Sequence, residues 1–120
     1  MVQAGFPSPA EDYSEERLDL NKKLIINPTN TFFVRVKGES MNGDGISNGD
    51  LLIVDRSAVP SDNSILVCFI DGEFTLKRIK RSSYNCFLEP SNPGFPLIKV
   101  DPENDLRIWG VVTWSIKKHY

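Results

Sequence analysis

The stretch SILVCFIDGEFTLKRI, residues 64–79, decides the fold class of this sequence. It contains two strand-like runs, the apolar residues 65–70 and the mixed apolar and polar residues 73–79. Asp71 and Gly72 separate the two runs. An Asp-Gly pair at this place is a strong hairpin signal, because a type I′ turn needs positive φ at both central residues. The sequence therefore predicts a β-hairpin here.

Further strand-like runs lie on both sides of this hairpin, and the links between them are rich in glycine and proline. Short strands joined by turns, with no sustained helical period, argue for a mainly-β barrel or sandwich. We therefore expect residues 31–120 to form one β domain. The last long run is expected to form one strand, or two with a break at Gly110. The further runs are residues 32–37, 51–54, 85–88, 97–100 and 106–117.

Residues 1–30 differ from the rest of the chain. Pro7 and Pro9 come early, acidic side chains follow, and apolar residues are sparse. Proline lacks the N–H group that a regular ladder needs. The sequence predicts an irregular N-terminal arm that is extended, mobile or docked on the body, with one or two helical turns at residues 12–20.

Composition limits the possible functions. The 120 residues carry 14 basic and 16 acidic side chains, a net charge of −2. This near-balance argues against a grip on nucleic acid, since such proteins usually concentrate positive charge on one face. No run of about 18 apolar residues is present, and the first residues lack the basic and apolar regions of a signal peptide. We expect one cytoplasmic domain that binds neither a membrane nor a specific DNA sequence.

The cysteines and the histidine exclude several kinds of site. Cys68 and Cys86 are too few for a disulfide framework, and both lie among apolar residues, so they are predicted to be small buried side chains. His119 is the single histidine and lies one residue from the end. A metal site of the usual type or a Ser-His-Asp triad would need it. We therefore expect neither a metal ion nor a cofactor.

Two other residues form a candidate catalytic pair. Ser40 lies in a glycine-rich turn segment, where a serine alone usually makes a local hydrogen bond. Lys77 lies in the second strand of the predicted hairpin, with apolar residues around it. It is either a solvated strand lysine or a lysine held in an apolar cleft. Burial disfavours the ammonium form of a lysine, and a neutral lysine can take the proton of a serine hydroxyl without a histidine.

The segments around these two residues resemble a known family. Residues 38–55 (GESMNGDGISNGDLLIVD) resemble the nucleophile segment of the LexA/UmuD self-cleaving Ser-Lys peptidases. Residues 71–79 (DGEFTLKRI) resemble their lysine hairpin, and the serine and the lysine are 37 positions apart, which fits the family pattern. Residues 2–13 resemble the cleavage region of the UmuD type. Further similar segments are residues 17–21 and 109–112.

The resemblance implies a role for individual residues. Ser40 would be the nucleophile, Lys77 the general base and Ala4-Gly5 the scissile bond. The backbone N–H groups of Glu39 and Ser40 would hold the oxyanion. UmuD-type chains have Cys-Gly at the bond, so alanine departs from that pattern, although the bond chemistry is unchanged. The implied fold is that of the LexA/UmuD C-terminal domain, preceded by an arm, residues 1–30, that contains the cleavage site.

The resemblance also implies a biological role. The 39 residues before Ser40 hold no helix-turn-helix pattern, which favours the UmuD type over a complete repressor. Proteins of the UmuD type are subunits of an error-prone translesion DNA polymerase. By resemblance, RecA on single-stranded DNA would stimulate self-cleavage in the SOS response to DNA damage. The shortened form would then join a UmuC-like polymerase subunit.

Two alternatives remain open. The first alternative to the UmuD type is the C-terminal self-cleavage and dimerisation domain of a LexA-like repressor. The second is a non-catalytic β interaction module in which Ser40 and Lys77 are unused. The family also implies a homodimer. Trp109, Val111 and Trp114 could supply an apolar β face for it, although core burial is the commoner use of such residues.

Overall fold

A computed structural model gives the fold, and the sequence prediction of a mainly-β chain is confirmed. The strands of the described residues form one antiparallel sheet in the order β1-β2-β7-β3-β4-β5-β6. The structure describes residues 19–38, 45–89, 94, 96–101 and 106–120. The elements are α1 (Leu20–Leu24), a 3₁₀ turn (Pro28–Asn30), β1 (Thr31–Arg35), β2 (Leu51–Asp55), β3 (Ile65–Ile70), β4 (Glu73–Ser82), β5 (Asn85–Leu88), β6 (Ile98–Lys99) and β7 (Leu106–Ile116).

The β3–β4 hairpin is present as predicted. Asp71 has φ of 50° and Gly72 has φ of 86°, so both central residues adopt the left-handed conformation that a type I′ turn requires. This tight turn fixes the register of the pair. Leu66 lies opposite Lys77.

Strand β7 is continuous through Gly110, so of the two arrangements expected for this run the single long strand is present. The strand lies between β2 and β3. Its register with β3 shifts by one residue, because Gly110 lies opposite Val67 whereas Ile108 lies opposite the next residue of β3, Cys68. A Cβ atom at Gly110 would lie 2.6 Å from Cγ1 of Val54. The glycine therefore allows the close approach of two strands and does not end one.

The core has two clusters of buried side chains, and these lie on opposite faces of the sheet because side chains alternate along each strand. Cys68 is fully buried, which confirms the prediction for it, whereas Cys86 is only half-buried and packs against the edge of the second cluster. The first cluster is Val36, Ile46, Leu52, Val54, Val67 and Leu76. The second cluster is Leu66, Cys68, Ile79, Leu88 and Val111.

A short helix, α1, begins at Leu20, and residues 12–18, where most of the predicted helical turns fall, lie outside the described residues. Asp19 caps α1, because its carboxylate accepts hydrogen bonds from the backbone N–H groups of Asn21 and Lys22, at 3.1 and 3.3 Å. None of the helices in the described parts of the chain is long and apolar enough to cross a membrane.

The end of the arm is docked on the β domain. Asn27 donates a hydrogen bond from Nδ2 to Oδ2 of the buried Asp55, at 3.0 Å, and Asn30 accepts one from the backbone N–H of Arg56, at 2.9 Å. Ser57 donates to Asp55 from both its backbone N–H and its hydroxyl. The hydrogen bonds from Ser57 and Asn27 lower the pKa of Asp55. The sequence left the arm extended, mobile or docked, and residues 27–30 are docked.

We expect Gly110→Ala to lower the free energy of unfolding by about 1–3 kcal/mol, because the new methyl group would push β7 and β2 apart. Urea unfolding followed by tryptophan fluorescence measures this change. Ser115→Ala, at an exposed position of the same strand, is the control and should have little effect. A fully stable Gly110→Ala protein would contradict the close approach.

Candidate active site

Lys77 lies beside an apolar cluster. It is half-buried in β4, with Leu66 directly opposite in β3. Cys68 is two residues further along β3 and is therefore on the same face of the sheet. Burial raises the pKa of the Cys68 thiol to about 11, and the positive charge of Lys77 opposes part of that rise. The amine of Lys77 and the buried thiol thus lie on one face of the sheet, beside the same apolar cluster.

A groove of about 260 Å³ connects the segments that lead into the two predicted catalytic residues. One wall comes from residues 34–37, which precede the serine segment, and the other from residues 74–76, which directly precede Lys77. Leu52 and Val67 of the first core cluster also line it. The sheet therefore curls until the end of β1 approaches β4. We call this space the first groove.

The structure describes only one of the predicted site residues. Lys77 lies within the described residues. Glu39 and Ser40, and the predicted scissile bond Ala4-Gly5, lie outside them. In the parts of the chain that are described, no group of His, Cys, Asp and Glu side chains is arranged to hold a metal ion.

The two ends of the segment that contains the serine are held close together. The backbone N–H of Val36 donates to the carbonyl of Asp50 at 2.9 Å, and the N–H of Gly49 donates back to Val36 at 2.8 Å. The N–H of Gly38 donates to Oδ1 of Asn48 at 2.9 Å. Gly49 has φ of 91°, a conformation that favours glycine. These bonds close the base of a loop that leaves at Gly38.

An ion pair fastens this base to the last strand. Oδ2 of Asp50, a residue only 4% exposed, accepts hydrogen bonds from Nζ of Lys117 at 2.7 Å and from the backbone N–H of Ser47 at 2.8 Å. Lys117 also donates to the hydroxyl of Ser47 at 3.0 Å. The bond from Lys117 and the bond from Ser47 lower the pKa of Asp50. The carboxylate of Asp50 thus also holds the turn at residues 47–50. Sequence reasoning missed Lys117, because its partner is 67 residues away and no local pattern marks it.

Comparison with known proteins places the chain in a class. Residues 1–113 match the Peptidase S24-like family, and the chain belongs to that family. It is 44% identical to Protein MucA of Salmonella typhimurium, over 98% of this chain and 81% of that protein. It is 49% identical to Protein ImpA of Shigella flexneri, over 97% of this chain and 79% of that protein. It is also 39% identical to LexA repressor 1 of Geobacter sulfurreducens, over 93% of this chain and 55% of that protein.

Within this family the chain is of the UmuD-like kind. The identity to MucA and ImpA is higher than the identity to the LexA repressor, and it extends over a larger share of those relatives. This confirms the resemblance that the sequence segments indicated. The mainly-β sheet is consistent with the family's fold.

We expect Asp50→Asn to lose stability mainly above pH 4. The pKa of Asp50 is lowered in the folded protein, so its carboxylate contributes stability above the unfolded-state pKa of about 3.9, and this contribution is lost as the pH falls through the folded-state value. The difference in free energy of unfolding between wild type and variant should therefore be constant from pH 7 to pH 5 and shrink below pH 4. Urea titrations across this range measure it.

Exposed Glu73→Gln is the matched control for this experiment. A difference between wild type and Asp50→Asn that stays constant down to pH 2 would show that the charge of Asp50 does not contribute.

We expect iodoacetamide at pH 8 to label Cys86 at least about tenfold faster than Cys68, because the Cys68 thiol is fully buried and has a raised pKa. Peptide mass spectrometry of the labelled protein measures both rates. In urea the two thiols should react alike. Equal rates in the folded protein would mean that the apolar surroundings next to Lys77 are open to solvent.

Proposed function

We propose that this protein is a UmuD-like self-cleaving serine peptidase, a subunit of an error-prone translesion DNA polymerase. It cleaves its own Ala4-Gly5 bond with a Ser40/Lys77 dyad. Residues 1–30 serve as the arm that carries the bond, and residues 31–120 serve as the peptidase domain.

One observation carries the proposal, namely that the first groove is bordered by the segments leading into both members of the dyad. Residues 34–37 end three positions before Ser40, and Leu76 is adjacent to Lys77. Lys77 itself does not line the groove, because its side chain lies on the face of Leu66, opposite to that of Leu76. The groove supports the proposal by bringing together the backbone segments that lead to a serine and a lysine, the parts that a histidine-free acyl transfer needs. Membership of a peptidase family supports the same chemistry.

The proposed reaction is an acyl transfer in two steps. The Ser40 hydroxyl oxygen attacks the Ala4 carbonyl carbon while the neutral amine of Lys77 takes the hydroxyl proton. The tetrahedral intermediate collapses, the bond from Ala4 to the Gly5 nitrogen breaks, and Lys77 returns the proton to that nitrogen. A water molecule, deprotonated by Lys77, then attacks the ester carbonyl carbon, the bond from that carbon to the Ser40 oxygen breaks, and Lys77 returns the proton to the Ser40 oxygen as residues 1–4 leave. Backbone N–H groups of Glu39 and Ser40 would stabilise the oxyanion in both steps.

The groove suits an extended peptide as the substrate. In the described part of the chain, β1 pairs along one side only, with β2, and β4 pairs with β5 from Ile79 onward. The walls of the first groove are therefore strand edges, and an extended segment can add to such an edge through backbone hydrogen bonds. Small residues at the bond let the backbone come close to the nucleophile, and Gly5 has no side chain to obstruct it.

Regulation and partners follow from the same reaction. Because cleavage requires the arm to fold back, its rate scales with the fraction of molecules in which the arm is correctly placed. A RecA filament on single-stranded DNA would raise that fraction after DNA damage, and the shortened protein would join a UmuC-like polymerase. The net charge of −2 fits contacts with proteins better than direct contacts with DNA.

A homodimer is part of the proposal, with a correction to its predicted surface. Val111 belongs to the second core cluster and is only 8% exposed, so it cannot be part of a dimer face. Trp109 is half-buried against the first cluster. Trp114, 44% exposed, remains the candidate of the three.

The runner-up function is the self-cleavage domain of a LexA-like repressor, which the 39% identity to LexA repressor 1 supports. The reaction would be the same, and the difference lies in the partner. Co-purification with a UmuC-like polymerase after DNA damage supports the first function. Dimer-dependent operator binding by the natural gene product supports the second.

We expect the purified chain to lose residues 1–4 on incubation, faster at pH 10 than at pH 7, because only the neutral amine of Lys77 accepts a proton. Ser40→Ala and Lys77→Met should each slow this loss at least about 100-fold, the usual contribution of a nucleophile or general base. Intact-mass spectrometry follows the reaction.

Ser115→Ala and Lys118→Met, both at exposed positions, are the matched controls and should cleave at the wild-type rate. Continued cleavage in Ser40→Ala would exclude that residue as the nucleophile. A wild-type mass that never changes at pH 10 would leave the interaction module as the remaining function.

A further inference from the structure

Positive charge is concentrated in one hairpin of an otherwise acidic chain. Residues 77–88, which comprise the second half of β4, the turn after it and the whole of β5, contain four basic side chains and no acidic one. The other 108 residues carry 10 basic and 16 acidic side chains, a net charge of −6. The net charge of −2 for the whole chain therefore conceals a local positive surface.

One face of the sheet at this hairpin places an aromatic ring between two cations. Lys80 of β4 lies directly opposite Phe87 of β5, and Phe87 lies directly opposite Lys99 of β6. Residues paired in this way have their side chains on the same face of the sheet. Because neighbouring strands are about 4.8 Å apart, the backbone positions of the two lysines are about 10 Å apart. We call these three residues the cationic row.

Neighbouring residues hold the row in position and extend it. Arg78 precedes Lys80 by two residues and is therefore on the same face. Nζ of Lys80 donates a hydrogen bond to Oδ1 of Asn63, and the guanidinium of Arg78 donates one to the backbone carbonyl of Asn63. Tyr84 lies in the turn between β4 and β5, and its side chain is fully exposed. The hairpin thus presents positioned cations together with a second aromatic ring.

One carboxylate lies at the margin of the row. Oε1 of Glu89 is 3.4 Å from Nζ of Lys80, and Oε2 is 4.0 Å from Nε of Arg78. These side chains are between 22% and 38% exposed, so water screens both ion pairs. A phosphate group, which forms strong charge-assisted hydrogen bonds with lysine and arginine, can compete with such a carboxylate.

We propose that the cationic row and Tyr84 bind single-stranded nucleic acid without reading its sequence. The lysines contact phosphate groups, and bases stack on the rings of Phe87 and Tyr84. Proteins that bind single strands combine a positive surface along the backbone with aromatic rings in this way. The proposal goes beyond the proposed function, because it adds a direct contact with nucleic acid and does not involve the dyad.

The aromatic rings favour nucleic acid over an acidic protein segment as the ligand. A carboxylate can pair with the lysines but makes no use of a ring between them, whereas every base has a flat π face that stacks on a ring. In a duplex the bases are stacked on one another, so a single strand is the form that fits. The negative charge of the rest of the chain repels a polyanion and keeps this contact weak.

Fluorescence anisotropy of a labelled strand of about 15 thymidines measures the binding. The protein is the full chain with Ser40→Ala, so that its arm stays intact. About three phosphate contacts give a slope of about −2 when the logarithm of the affinity is plotted against that of the salt concentration. We therefore expect Kd to rise about tenfold between about 50 and 150 mM NaCl.

Charge variants test the row itself. Lys80→Gln with Lys99→Gln should raise Kd at least about fivefold at low salt and make the salt slope shallower. Lys22→Gln with Lys118→Gln, which removes the same charge at two exposed positions outside the hairpin, is the matched control and should bind like the parent protein. Glu89→Gln should lower Kd about twofold, because it removes the competing carboxylate.

Ring variants test the stacking. Tyr84→Ser should raise Kd at least about fivefold, the usual effect of losing one stacked base. Tyr120→Ser is the matched control, because Tyr120 is also fully exposed and lies outside the hairpin. Both tyrosines lack burial, so both variants should keep the urea midpoint of the parent protein.

Several outcomes would overturn the proposal. These are an absence of binding at low salt, a Kd that salt leaves unchanged, and variants of the row or of Tyr84 that bind like their controls. Polyglutamate that displaces the labelled strand as well as unlabelled thymidine strands do would overturn it in favour of an acidic protein segment. Equally tight binding of a duplex of the same length would also overturn it, because stacked bases in a duplex are not available to the rings.

Discussion

The register of the β3–β4 hairpin is the constraint on which the candidate site depends. Side chains alternate along a strand, so a slip of one residue would move Lys77 to the opposite face of the sheet. The Asp71-Gly72 turn prevents this, because its two positive φ angles fit a tight two-residue connection. With that register, Lys77 faces Leu66 and the neighbourhood of the buried Cys68. A local turn thus determines that an amine lies next to apolar side chains.

The other side of the site depends on a contact between distant parts of the chain. The base of the serine segment is closed by backbone bonds between Val36 and the segment that ends at Asp50, and the carboxylate of Asp50 is held by Lys117. A buried carboxylate without its partner is unfavourable, so this pairing strongly favours one position of the loop base. The two walls of the first groove are therefore fixed by different means. Turn geometry fixes the wall formed by residues 74–76, and a long-range ion pair helps to fix the wall formed by residues 34–37.

The sequence was sufficient for features that short segments determine. The Asp71-Gly72 hairpin, the strand-rich domain and the burial of Cys68 follow from alternation, turn chemistry and apolar surroundings, and all are present. The sequence left the role of Gly110 open, because a glycine that ends a strand and one that admits a neighbouring strand look alike until Val54 is in place. Lys117 was missed for a related reason. Pairing across a sheet leaves no periodic mark in the sequence, and none of the segments that carried the family resemblance includes Lys117.

A peptidase that cleaves its own arm has its substrate at high effective concentration, because the arm is tethered to the same chain. For the proposed self-cleavage, a slow rate would then come from a low population of the docked arm. Exposed ion pairs contribute only about 0–1 kcal/mol each, so an arm held by such contacts is weakly bound. In that regime a partner that adds about 1.4 kcal/mol of preference for the docked state raises the rate roughly tenfold. A weakly held arm is therefore better suited to a stimulated reaction than a tightly held one, which would leave a stimulating partner nothing to change.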